Sequence, residues 1–169
     1  MPEITLAATF LAFAANRLQA SATDITSCVA QLTEEQLWYR GGEYENSIAN
    51  LLLHLAGNMR QWILHGIAGQ PDIRERDDEF ALTSQLTAAE AHTLFTTTLD
   101  QCREVIRTLQ PERLLEIIDP QPTGNRRHLP VLDAIFQVVG HVQLHTGQII
   151  VLTKQRLTRD LDLSMPRER

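Results

Sequence analysis

The stretch ITLAATFLAFAANRLQASATDITSCVAQL, residues 4–32, decides the fold class. Apolar or small residues recur at Ile4, Ala7, Leu11, Ala14, Leu18, Ala22, Ile25, Val29 and Leu32, in steps of three and four. That period lays one apolar stripe along a long helix, at the spacing two helices need to pack side by side at a shallow angle. A helix bundle is therefore implied from the first thirty-odd residues. Working outward, Thr33 opens T-x-x-Q with Gln36, a capping box for a short helical turn before Gly41 and Gly42. A second long helix is expected from Asn46 or Ser47, both good N-caps, to about Ala68, where Gly69 and Pro71 close it. Its core stripe is Ile48, Leu52, Leu55, Met59 and Trp62. The run Asp72 to Phe80 is dense in alternating charge and reads as a surface loop or short turn. Thr87 and Glu90 form another capping box, which starts a third helix through Phe95, Cys102 and Ile106 that ends at Pro111. Pro120, Pro122 and Gly124 make the segment 114–129 a long crossing loop. Pro130 suits the first position of a fourth helix reaching Leu157. The chain then reads as one all-α domain over 1–160, with a frayed tail over 161–169.

Composition agrees with a single folded unit. The 169 residues are 43% hydrophobic and 21% charged, an ordinary globular balance. A net charge of −6 repels a phosphate backbone, and the pair Arg126 and Arg127 is far short of a basic stripe, so nucleic acid is not expected as a partner. Ile4 to Ala15 resembles the hydrophobic part of a secretory signal, but Glu3 rather than a basic residue precedes it and the helical period continues through Arg17. No stretch offers the roughly 18 uncharged apolar residues that span a bilayer, so no membrane partner is expected. Cys28 and Cys102 lie far apart on apolar helical faces and read as small buried hydrophobes, suited to a reducing cytoplasm.

The histidines carry the chemistry. His141 and His145 are four residues apart, about 40° around a helix and roughly 6 Å along it, so both rings can point at one ion. They continue the stripe of Val138 and Leu152, which turns them toward the bundle interior. Two neutral imidazoles side by side in a core leave acceptor nitrogens to satisfy, and protonating both would crowd like charges. A metal removes both difficulties. His54 on the second helix, beside Leu51, Asn58 and Gln61, supplies a third ligand from a facing helix. Three ligands leave room for water or substrate. The competing reading is that these are satisfied core histidines without metal. His65 lies eleven residues from His54, roughly 16 Å along the axis, too far to share an ion. His92 and His128 read as surface or locally bonded residues.

The strings L-L-L-H-L-A-G-N around His54 and H-V-Q-L-H-T-G-Q-I from His141 to Ile149 resemble the DinB/YfiT-like metalloenzyme superfamily, across the whole chain in helix order and length. The charged run Arg74 to Phe80 is similar to a DinB-like subfamily without an assigned reaction. The resemblance implies an antiparallel, up-down-down-up four-helix bundle, often a homodimer. It also implies a metal triad mapping onto His54, His141 and His145, zinc or nickel as the ion, and thiol-dependent S-transfer or isomerisation with a low-molecular-weight thiol. On that basis the expected function is transfer of a thiol to a small electrophile, with the metal stabilising the thiolate. Asn58 and Gln148 are the expected supporting residues around the ligands. Hydrolysis at the same site is the alternative, and would draw its base from Glu43 or Glu45, since no carboxylate falls on the ligand stripes. A non-catalytic metal-binding or self-associating bundle is the third reading.

Overall fold

A computed structural model describes residues 5–81, 86–119, 122 and 128–163. The described residues are all-helical, with five α-helices and no strand: α1 (Leu6–Val29), α2 (Glu34–Trp38), α3 (Ile48–Met59), α4 (Ala88–Thr108) and α5 (Val131–Leu157). Ile4, Pro120, Gly124, the Arg126–Arg127 pair and residues 164–169 lie outside the described residues. The four long helices coincide with the four periodic segments, and α1 and α3 each pack against both α4 and α5. The stripe read from the first stretch points inward: Leu11, Ala14, Leu18, Ala22 and Ile25 are buried. They meet Phe95 and Leu99 of α4, Ile48, Leu52 and Leu55 of α3 and Ile135, Val138 and Val142 of α5 in one core. Cys28 and Cys102 are free and buried in it.

Local chemistry sets the helix starts. Thr33, Ser47 and Thr87 cap α2, α3 and α4, each with a reciprocal bond to the residue three places on. Of the two caps expected for the second helix, Ser47 is the one used. Its hydroxyl accepts from Asn50 N at 3.0 Å and donates to Asn50 Oδ1 at 2.7 Å, fully buried. We expect Ser47→Ala to lower stability by about 1–2 kcal/mol, because a buried cap cannot be replaced by water. Urea unfolding measures this, and an unchanged midpoint would show that the cap is dispensable.

Three features differ from the sequence reading. The second helix does not stay α-helical to Ala68: after Met59 it widens into a π-helical turn over Arg60–His65 and closes at Gly69, whose φ of 72° lies in the left-handed region that favours glycine. The charged segment 72–81 is, as expected, largely exposed with a short turn at Asp78–Phe80, but its end is fastened to the bundle. It lies as a strap on α3, held by Asn50 Nδ2 donating to the carbonyls of Glu79 (3.0 Å) and Ala81 (3.1 Å), and by Arg40 donating to Phe80 O and Ala81 O, both at 2.8 Å. Finally, the chain past Arg159 does not fray at once, since Leu161 is buried and Leu163 packs on the core.

The crossing loop is pinned at its ends by a bridge between Ile117 and Pro130. By length and hydropathy alone α5 could cross a membrane. Here one of its faces packs on α1 and α3, and that face carries the histidines.

Candidate metal centre

His54 comes from the middle of α3, His141 and His145 from successive turns of α5. The helical repeat stacks the latter two on one face, and the packing of α3 on α5 brings the third ring to them. Ring centroids are 4.9 Å apart for His54 and His141, 5.2 Å for His54 and His145, and 4.6 Å for His141 and His145. One ring nitrogen from each lies within 4.8 Å of the others, an arrangement that could hold a metal ion. His54 Nε2 and His141 Nε2 are 2.9 Å apart. Tetrahedral zinc with Zn–N near 2.0–2.1 Å sets neighbouring nitrogens roughly 3.3 Å apart, so small ring rotations suffice.

The outer nitrogens fit the same purpose. His54 Nδ1 is 2.8 Å from Glu79 Oε2, so it carries the proton and donates, which leaves the Nε2 lone pair facing the other rings. His145 Nδ1 likewise donates to Gln148 Oε1 at 2.9 Å. Ligating imidazoles held through their second nitrogen by a carboxylate or carbonyl are the usual support of a metal site. The donor set, its orientation and its partial burial therefore fit a divalent ion.

Glu79 is the residue the sequence reading missed. It is buried, and Arg74 grips it through Nε to Oε1 (2.6 Å) and Nη2 to Oε2 (2.8 Å), while Arg74 Nη1 donates to Gln61 Oε1 at 2.9 Å. Gly57 makes room for this pair: a Cβ there would run into the Glu79 carboxylate. Phe80 covers the His54 ring at 4.8 Å between centroids. The available signal was Phe80 itself, an aromatic ending a charged run, which marks a segment that turns inward. Glu45, one of the two expected acids, instead accepts from the backbone N–H of Gly41 in its own loop, and Glu43 is exposed.

A family model described as a protein of unknown function, DUF1572, matches residues 5–169. The chain belongs to the DUF1572 family. No curated protein matches it. In this DUF1572 chain the other sequence candidates fall as follows. Asn58 sits four residues from His54, buried, with its Oδ1 unpartnered. It shares a cavity of about 280 Å³ with His54, Gln61, Arg74, Arg76 and Gln137. A larger recess of about 610 Å³ also touches Arg74 and Glu79, but none of the three histidines lines it. His65 Nδ1 is bonded to Gln70 O and His92 Nε2 to the Thr26 hydroxyl, while His128 is exposed.

Electrostatics keep this DUF1572 centre in the form a metal needs. Burial, followed by the neighbouring His145 and His54, pushes the His141 imidazole down to about 4. Burial also lowers His145, against the bond to Gln148 that raises it. Burial alone would raise Glu79, but its bonds to Arg74 and His54 hold it below the usual carboxylate range. Neutral imidazoles beside an ionised carboxylate are the ligand state for a divalent ion. The unfolded chain takes up the His141 proton first, near 6.5, and the native state only near 4, so acid favours unfolding between those values. We expect the melting temperature of metal-free protein to fall as pH drops through this window, and to fall less steeply in His141→Gln. Coincident profiles for the two proteins would contradict the assignment.

Proposed function

We propose that this chain is a divalent-metal-dependent enzyme of the DinB-like kind, joining a low-molecular-weight thiol to a small electrophile. What supports the metal-dependent part is the converging trio of imidazoles, two of which, His54 and His145, have their outer nitrogens tied to Glu79 and Gln148. A divalent ion there, zinc or nickel, would supply stabilisation of a thiolate near neutral pH. The protein's own residues do the rest. His54, His141 and His145 would hold the ion, Glu79 fixes the tautomer of His54, and Phe80 shields that ring from water.

The state of Glu79 favours thiol chemistry over hydrolysis. Attack by water calls for a nearby base, yet both oxygens of this carboxylate are bonded and its proton affinity is low. The same proposal reads the helices as an up-down-down-up four-helix bundle, supported by α1 and α3 each lying against both α4 and α5. It includes a cytoplasmic homodimer. Supporting the dimer is an exposed line along α5, Phe136, Leu144 and Val151, interspersed with Gly140 and Gly147, which have open space above them.

The test is metal analysis followed by an assay of monochlorobimane with several thiols. Conjugation that depends on metal and is lost in His145→Ala is expected. Tight metal binding with no turnover for any thiol would instead identify a non-catalytic metal-binding bundle.

A further inference from the structure

We propose that Gln61 is a positioning residue of the metal centre: it clips the strap 72–81 to the bundle, and through that clip strap docking and metal occupancy strengthen each other. The proposal deepens the metal-dependent reading and rests on it, since it names what regulates ion affinity at the same three imidazoles. Glu79, the acceptor for His54 Nδ1, belongs to the strap and to none of the five α-helices. Two latches hold that segment. At its far end Asn50 and Arg40 bond the carbonyls of residues 79–81. At its near end the single side chain of Gln61 takes both sides of the strap's first turn: its Oε1 accepts from Arg74 Nη1 at 2.9 Å and its Nε2 donates to Asp72 Oδ2 at 3.2 Å. Asp72 in turn accepts from the backbone N–H of Arg74 at 3.1 Å, which closes a ring of bonds.

Little else keeps the near end down. Of residues 72–81 only Glu79 is buried, and recesses of about 610 Å³ and about 280 Å³ both reach Arg74, so polar bonds rather than continuous packing hold it. Segments held in this way open locally at a free energy well below that of global unfolding. Opening costs His54 its acceptor, because Arg74 and Glu79 move together: the guanidinium grips both carboxylate oxygens, and Glu79 Oε2 is the atom 2.8 Å from His54 Nδ1. An imidazole that loses such a partner typically holds its ion about 10–100-fold less tightly. Binding free energies are reciprocal, so an ion that prefers the docked strap by that factor holds the strap down by the same factor. Among the described residues Gln61 bonds to no histidine of the cluster, and its influence reaches the ion only through Arg74 and Glu79.

Hydrogen exchange of the full chain, followed at the backbone amides of Arg74, Glu79 and Phe80 with and without zinc, tests the coupling. Zinc is expected to slow these amides about tenfold or more in wild type. Gln61→Met, close to glutamine in volume but bonding neither Asp72 nor Arg74, is expected to speed them about fivefold or more in metal-free protein. Its zinc affinity, from competition with a chelator, is expected to be about twofold weaker or more, and by linkage the loss cannot exceed the factor by which zinc slows the strap. Thr33→Ala, which removes the cap of α2 and no bond to the strap, is expected to leave strap exchange and zinc affinity as in wild type. That control separates support of the ion from a general loss of stability. The proposal is overturned if saturating zinc leaves strap exchange unchanged, or if Gln61→Met matches wild type in exchange or in zinc affinity. Bound zinc with an indifferent strap removes this proposal alone and leaves the metal-dependent reading standing. Zinc that does not bind wild type at all removes both.

Discussion

Replacing His141 by alanine is expected to take zinc binding from about one ion per chain to a level that equilibrium dialysis at micromolar metal does not detect. The reason lies in the number and direction of ligands. His54 and His145 approach from different helices, and with His141 gone only two imidazoles remain to repay the dehydration of the ion. Loss of a partner outside the ligand set typically lowers metal affinity about 10–100-fold, and loss of a ligand should exceed that. The helix itself should survive, since His141 is only partly buried and alanine favours helix. His65→Ala is the matched control, because that ring is bonded to Gln70 O within its own turn. Equal zinc content in His141→Ala, His65→Ala and wild type would show that the histidine cluster is not where the metal resides.

Removing the Glu79 carboxylate should have two separable effects. Glu79 and Arg74 are 7% and 6% exposed at their side chains and 2.6 Å apart, so Glu79→Ala leaves a buried guanidinium without its counter-charge. Breaking one side of such a pair is expected to destabilise the native state by about 3–5 kcal/mol. In a chain of this length that is a melting temperature lower by roughly 6–20 °C. The second effect falls on the metal, because His54 Nδ1 loses its acceptor and the ring its fixed orientation, with an expected loss of about 10–100-fold in affinity. Glu79→Gln divides the two. It keeps an acceptor for His54 while leaving Arg74 unpaired, so stability should fall as in Glu79→Ala while metal affinity falls less. If both variants bind zinc like wild type, the carboxylate has no part in supporting His54.

How far the site was legible can be judged residue by residue. His141 and His145 were readable together because a helix obeys a local rule: four residues on is one turn up the same face. His54 was readable as a member of the α3 face. What the line of residues did not reveal was Glu79, which meets His54 across 25 positions through a segment with no helical period of its own. Asn50 and Arg40 fasten that segment to α3 by backbone carbonyls, and a carbonyl leaves no trace in side-chain pattern. The π-helical turn after Met59 was hidden for a related reason, since Trp62, Ile63 and Leu64 satisfy an apolar stripe whether the turn is α or π.

By itself, then, the sequence determined the helices, their caps at Thr33, Ser47 and Thr87, their buried faces and the ligand-type residues on α3 and α5, because each of these depends on neighbours within about one turn. Tertiary structure decided the rest. It set His54 Nε2 2.9 Å from His141 Nε2 across 87 positions and laid the strap's own Arg74–Glu79 pair against His54. Contacts of that kind form when whole helices pack, and their partners are chosen by the shape and burial of the assembled core rather than by any spacing along the chain.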